Sequence, residues 1–133
     1  MVTNTRNLKR LVYLISPNKI YPNFYIELNK VLASKKVSFF QLRLKNKSLN
    51  EVIKIAKKIR NIAQKHNVKL IINDNSLIAK KVNADGCHLG QKDDSMELAR
   101  KNIKNKIIGV TCHGSKKLTL TACKNKCDYI AFG

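Results

Sequence analysis

Short, continuously apolar runs alternate along this chain with stretches in which apolar residues recur every three or four positions. Leu11-Val12-Tyr13-Leu14-Ile15-Ser16 is the first run, and Pro17 ends it. Residues 37–44, 68–73, 85–89, 107–111 and 128–132 are the others. Apolar runs of this length suit strands buried on both faces. The second is mixed. From Gln41 onward it alternates, so Gln41, Arg43 and Lys45 share one face of the predicted strand.

The intervening stretches predict helices over residues 24–33, 48–66, 76–82, 95–103 and 115–125. The clearest opens at Ser48. That residue is a good N-cap, and Glu51 three positions later completes a capping box. Val52, Ile53, Ile55, Ala56, Ile59, Ile62 and Ala63 then form an apolar stripe. Asp94 or Ser95 caps the fourth helix. Asp85-Gly86-Cys87-His88-Leu89-Gly90 and Asp128-Tyr129-Ile130-Ala131-Phe132-Gly133 both put an aspartate at a strand start and a glycine past its end.

Strands alternating with helices imply an α/β fold with a parallel sheet. Two architectures compete, a (β/α) barrel and an open doubly wound sheet. No G-x-G-x-x-G follows any strand, which counts against a dinucleotide fold. An eight-unit barrel takes on the order of 200 residues or more, and this sequence has 133, ending directly after its sixth predicted strand. The expectation is an incomplete barrel of about six βα units over residues 11–133, with open edges. A loose basic lead-in is expected over residues 1–10.

Composition narrows the function classes. No apolar run approaches the length of a membrane span. The basic start superficially resembles a signal peptide, but Pro17 interrupts it early and no small-residue cleavage site follows. A cytoplasmic protein is expected. The formal net charge is +19, which raises local concentrations of anions. The lysines are scattered and aromatics are few, so a stacking platform for nucleic acid is not in view. Four cysteines, Cys87, Cys112, Cys123 and Cys127, contain no C-x-x-C pair. They read as reduced thiols in core positions rather than a zinc site.

Acidic residues are scarce, 8 against 27 Lys plus Arg, so their placement is informative. Asp74 and Asp93 both fall just past the ends of neighbouring predicted strands. Two carboxylates there suggest a divalent metal or a catalytic pair. In a parallel barrel reactive groups collect at the C-terminal strand ends. Those ends offer Gln41, Arg43 and Lys45, then Asn73 and Asp74, then His88, Gln91 and Asp93, then Thr111 and His113. Such a set describes a pyrophosphate site with Mg²⁺: Arg43 and Lys45 on phosphate oxygens, Asp74 and Asp93 on the metal. Blander roles compete with these. Asp74 and Asp93 can be helix caps, Arg43 and Lys45 solvated charges, and His88 a packed, hydrogen-bonded residue. His66 reads as a helix end, and Asp85 and Asp128 as stabilising residues of the opposite rim.

Gln41-Leu42-Arg43-Leu44-Lys45, Ile72-Asn73-Asp74, residues 84–93, Ile108-Gly109-Val110-Thr111 and residues 128–133 together resemble thiamine-phosphate synthase and its thiazole-tautomerase relatives. The resemblance runs from about residue 11 to the last residue. It implies a (β/α)₈ barrel and a transferase of thiamine biosynthesis. That enzyme joins hydroxymethylpyrimidine pyrophosphate to thiazole phosphate through a dissociative step. The resemblance also implies roles: Arg43 and Lys45 on the pyrophosphate, Gln41 reaching the pyrimidine, Asn73 nearby, and Asp74 and Asp93 as Mg²⁺ ligands. Thr111, where the family commonly has serine, lies near the leaving group. Lys45, Thr111 and His113 are the candidates closest to the chemistry. The family's phosphate-binding loops of the seventh and eighth units do not occur in this sequence, so the resemblance covers the pyrophosphate half of the site. A tautomerase using His113, and an inactive homologue that only binds pyrophosphate ligands, are the alternatives. The open edges lead to an expectation of self-association.

Overall fold

The structure, a computed structural model, describes residues 9–133. The lead-in expected over residues 1–10 therefore falls largely outside the described residues, and residues 9–11 have no regular structure. From there strands and helices alternate: β1 (Val12–Ile15), α1 (Phe24–Ala33), β2 (Val37–Leu42), α2 (Leu49–Lys65), β3 (Lys69–Asn73), α3 (Ser76–Lys81), β4 (Gly86–Leu89), α4 (Met96–Ile103), β5 (Ile107–Thr111), α5 (Lys116–Lys124) and β6 (Tyr129–Ala131).

The strands lie side by side in chain order in one sheet, every pair parallel. A doubly wound sheet reverses its strand order at a switch point. None occurs here, so the barrel expectation holds and the open-sheet alternative falls. One face of the sheet is covered by helices. Leu70, Ile72, Cys87, Leu89, Ile108 and Val110 pack there against Leu28, Leu32, Ala56, Ile59, Ala99 and Ile103 in one continuous core. The other face curls on itself. Tyr13 of β1 meets Tyr129 of β6 with ring centroids 5.5 Å apart, although these two strands are the sheet's outer edges. Six strands thus form a half-barrel with a lumen.

Helix α2 forms as its cap signals require. The Glu51 carboxylate accepts from the Ser48 N–H at 2.9 Å, and the Ser48 hydroxyl accepts from the Glu51 N–H. Its buried stripe is Ala56, Ile59 and Ala63; the alanines let the helix approach the sheet closely. Helix α4 is capped by Ser95, whose side chain accepts from the Leu98 N–H. Asp94 does not cap it. Its carboxylate accepts from the Ser76 N–H at 3.0 Å and from the Ser76 hydroxyl, which ties the start of α3 to the start of α4. His66 is the C-cap of α2, as expected, and also bonds Asn29 of α1 at 2.7 Å.

The two aspartates at strand starts behave alike. Asp85 accepts from the Leu70 N–H at 2.8 Å, and Asp128 from the Ile108 N–H at 2.8 Å. Each lies one residue before its strand and clamps the strand before it, a stabilising role at the N-terminal rim. The thiols divide. Cys87 and Cys112 are buried and Cys127 is half-buried. Cys123 is exposed, which corrects its core assignment: it falls on the solvent side of α5, away from Ala122. Burial pushes the Cys87 thiol up to about 12, so it stays protonated.

Candidate active site

Strand β2 ends at Leu42, two residues short of the expected Leu44. The Arg43 N–H goes to the hydroxyl of Ser16, 2.9 Å away beyond the end of β1, and so leaves the ladder. Arg43 and Lys45 therefore project from a loop rather than sharing a strand face with Gln41. Ser16 is itself buried.

Strand β3 ends in a tight turn. Asp74 has φ of 66°, a region L-residues seldom occupy and aspartate tolerates better than most. The Asp74 N–H donates to the His88 carbonyl at 2.7 Å, and the Asn75 N–H returns to the Asn73 carbonyl at 2.8 Å. Asn75, not Asp74, caps α3, accepting from the Ile78 N–H at 2.9 Å. Asp74 is thus no helix cap, and its carboxylate is left to the cleft. Asp93 does not cap a helix either. Its carboxylate folds back to accept from the Gly90 N–H at 2.8 Å. A Cβ at position 90 would come within 2.6 Å of that carboxylate oxygen, so glycine makes the approach possible.

These ends surround a cleft of about 410 Å³. Arg43, Lys45, Asn73, Asp74, Asp93, Thr111 and His113 all line it, with His88 and Gln91. Arg43 and Lys45, with Lys92, thus share the cleft with two carboxylates, two amides, a hydroxyl and two imidazoles. Gln91 braces the far side by donating to the Thr111 carbonyl at 2.6 Å. His113 bonds the Gly133 carbonyl at 3.1 Å. Gln41 is the exception. It is buried to 3% exposure, its amide donates to the Tyr13 hydroxyl at 2.8 Å, and it does not line the cleft.

Asp74 is electrostatically frustrated. Burial, a shared hydrogen bond with Asp93 and that residue's charge push its carboxyl up to about 6, with Lys45 and Arg43 opposing. Two carboxylates facing one cleft suit a divalent cation, which would cancel their repulsion. Among the described residues no group of three or more His, Cys, Asp and Glu could hold a metal ion. A two-carboxylate site fits Mg²⁺, which keeps waters and takes substrate oxygens to complete its shell.

His88 is buried and lies between Tyr129 and Thr111, with Nδ1 2.9 Å from the Tyr129 hydroxyl and Nε2 2.7 Å from the Thr111 hydroxyl. Burial lowers its pKa, which favours the neutral ring. It is the packed, hydrogen-bonded residue that its apolar strand suggested. The sequence reading passed over Tyr13, Tyr129 and Ser16. The available signal was the period-two register, which puts Tyr13, Gln41, His88 and Tyr129 on lumen-facing positions of paired strands.

Six consecutive parallel strands joined by five helices, with a polar cleft at the strand C-termini, define part of a (β/α)₈ barrel. Residues 12–133 match the family model described as thiamine monophosphate synthase, and the chain belongs to that family. It is 61% identical over 127 residues to a thiamine-phosphate synthase of Pelagibacter ubique, covering 94% of this chain and 61% of that protein. It is 38% identical over 125 residues to one of Erythrobacter litoralis, covering 92% and 59%. A solved thiamine phosphate pyrophosphorylase from Pyrococcus furiosus superposes with a TM-score of 0.82 at 28% identity, covering 92% of this chain and 59% of that one. The chain thus spans 59 to 61% of the length of these relatives. Among the described residues no helix is long and apolar enough to cross a membrane.

Proposed function

We propose that the chain carries the pyrophosphate half of a thiamine-phosphate synthase site. The reaction is the transfer of a hydroxymethylpyrimidine group from its pyrophosphate to thiazole phosphate, giving thiamine phosphate and pyrophosphate. The observation that supports this is the cleft in which Arg43 and Lys45 face Asp74 and Asp93. Breaking the carbon–oxygen bond of the donor moves negative charge onto the departing pyrophosphate. Arg43 offers a planar fork to its oxygens and Lys45 a point charge. Asn73 adds an amide, and Thr111 a hydroxyl. Asp74 and Asp93 would hold Mg²⁺, which supplies positive charge against the leaving group. The pyrimidine methylene is left electron-poor, and the thiazole nitrogen forms the new carbon–nitrogen bond. Catalysis here is positional and electrostatic.

Lys45, Asp74 and Asp93 in one cleft favour the synthase over a tautomerase, which needs neither pyrophosphate nor metal. His113 on the same rim serves either branch. Arg43, Lys45 and Lys92 share one cleft with two carboxylates, which suits a small anionic ligand with a metal, so the partners in this reading are two small molecules and not nucleic acid. Buried free thiols at Cys87 and Cys112 fit the reducing cytoplasm. Exposed Val12, Ile15 and Phe132 at the sheet edges favour self-association, which sedimentation of this chain measures.

Calorimetric titration with inorganic pyrophosphate tests the site. Binding requires Mg²⁺ and is lost in Asp74→Ala and Asp93→Ala. Unchanged binding in those variants sinks the metal assignment. A condensation assay with both substrates tests the reaction itself.

A further inference from the structure

The fold gathers onto one rim lysines that are spread along the sequence. The strands are parallel and each helix returns the chain to the start of the next strand. The five helix-to-strand turns therefore all lie at the N-terminal rim, opposite the cleft. Lys35 and Lys36 stand in the turn after α1, and Lys65 ends α2. Lys80 and Lys81 end α3, and Lys104 follows α4. Lys124 and Lys126 flank the end of α5. All eight are exposed, and among the described residues none pairs with a carboxylate.

The acids are sorted the other way. Among the described residues those of this rim are Asp85 and Asp128, and both are already engaged. Asp85 holds the Leu70 N–H and Lys69, and Asp128 holds the Ile108 N–H and Arg100. Glu27, Glu51 and Glu97 lie in first helical turns, and Asp74 and Asp93 in the cleft, all toward the opposite rim. Neighbouring turns are also tied together. Lys106 donates to the Asn83 side chain and the Ala84 carbonyl, and Arg100 to the carbonyls of Lys104, Lys106 and Lys126. One cation per helix end offsets the helix dipole; the ends of α1, α3 and α5 each carry two of the eight lysines. Lysine even stands where the backbone disfavours it. The residue past a helix end often takes a left-handed φ, a place for glycine or asparagine. Asn67 and Asn83 fill it after α2 and α3, with φ of 58° and 51°. Lys35, Lys104 and Lys126 fill it after α1, α4 and α5, with φ of 58°, 53° and 60°.

We propose that the N-terminal rim is a docking surface for the phosphate backbone of a nucleic-acid duplex, bound without reading its bases. The surface lies on the rim away from the cleft and does not depend on the functional reading above. Adjacent packed helices sit about 10 Å apart, so the cations recur at about that step along an arc. A duplex offers two rows of phosphates flanking grooves roughly 6 and 12 Å wide, and an arc with that step meets both rows. The five turns carry no aromatic ring, so a single strand would find nothing to stack on. No large apolar side chain is exposed in them either, so a bilayer would find charge and nothing to insert. Asn67, Asn83 and Asn125, exposed between the lysines, supply amides for phosphate oxygens.

Fluorescence anisotropy of a labelled, mixed-sequence DNA duplex measures binding to the whole chain. The expected result is saturable binding whose log affinity falls linearly with log salt, with a slope of about −4. Lys35→Asn, Lys104→Asn and Lys126→Asn together copy the turns at Asn67 and Asn83, so the backbone is kept. That triple variant should flatten the slope by about 3 and weaken binding at low salt by at least about tenfold. Lys36→Gln, Lys81→Gln and Lys124→Gln, at none of the left-handed positions, should lose as much. Arg43→Gln, Lys45→Gln and Lys92→Gln remove the same charge from the opposite rim and should bind the duplex as wild type does. Equal losses from the two rims make binding a property of net charge alone and overturn the proposal. A wild-type chain that does not bind, or that prefers a single strand or phosphatidylserine vesicles to the duplex, overturns it too.

Discussion

The hydroxyls of Tyr13 and Tyr129 meet at 2.6 Å across the lumen, 116 residues apart in the chain. They belong to the first and last strands, which share no ladder bonds. This contact, with the 5.5 Å ring approach, bridges the two edges of the half-barrel.

Tyr13→Phe therefore removes more than a surface hydroxyl. It leaves the Gln41 amide without its acceptor and the Tyr129 hydroxyl without its Tyr13 partner. A loss of about 1–3 kcal/mol is expected. Urea unfolding should show a lower midpoint at an unchanged slope. An unshifted midpoint would show that the contact does not hold the edges together.

Gly109→Ala puts a methyl group into the Tyr129 ring. The strand on which Gly109 lies, β5, is hydrogen-bonded to β4 and β6 on its two sides and cannot move away easily, so the ring must shift. Overpacking of this kind costs about 1–3 kcal/mol. In a Tyr129→Ala background most of that cost should vanish. A cost that persists there points to strand strain instead of the ring clash.

The pH dependence of the carboxylate pair has a definite sign. The Asp74 carboxyl is raised from 3.8 to about 6, so between those values the native state holds a proton that the unfolded chain has lost. Stability conferred by that proton falls as pH rises through the window and is gone above it. Asp74→Asn, which tolerates the same φ of 66°, removes the penalty. In metal-free buffer at pH 7.5 this variant should melt higher than wild type, and at pH 4 the difference should disappear. Comparing variant with wild type cancels the opposite trend expected from neutral, buried His88. Mg²⁺ with pyrophosphate should raise the wild-type melting temperature more at pH 7.5 than at pH 5, because at pH 5 the metal must displace a proton. Equal gains at both values would contradict the assignment.

The opposite rim supplies the control. Asp85→Ala and Asp128→Ala each remove a carboxylate that clamps the preceding strand at 2.8 Å. Each should cost about 1–2 kcal/mol, a little more for Asp128, which also pairs with the part-exposed Arg100 at 3.0 Å. Pyrophosphate binding to the folded protein should be unaffected in both. Loss of affinity at native stability would mean that the two rims communicate.

Much of this molecule was legible before any coordinates. The helix over residues 24–33 and the strand over residues 107–111 fall where their patterns put them. The capping box at Ser48 and Glu51 forms as written. Such features are local: a period, a cap and a breaker act within a few residues. Arg43, Lys45, Asn73, Asp74, Asp93, Thr111 and His113 were also readable, because in a parallel α/β fold the C-terminal strand ends share one rim whatever the fine packing. Other choices were not local. The pattern allows Asp94 or Ser95 as the cap of the fourth helix, and Ser95 makes it, because either residue type can form that bond and only the loop's path selects one. Strand β2 is two residues shorter than its pattern predicts, since the Ser16 hydroxyl that captures the Arg43 N–H lies just past the end of β1.

The sequence by itself determined the βα repeat, the parallel sheet and the residues of the rim, because side-chain periodicity and strand direction specify them. Only the tertiary structure decided what lies inside. Whether Tyr13 reaches Tyr129, and whether Gln41 turns to the cleft or to the lumen, depends on how far six twisted strands curl. That curvature sums small rotations over the whole sheet, and no window of sequence contains it. The same curl brings His88 between Tyr129 and Thr111, and so joins a lumen that no local pattern announced to a rim that every strand end did.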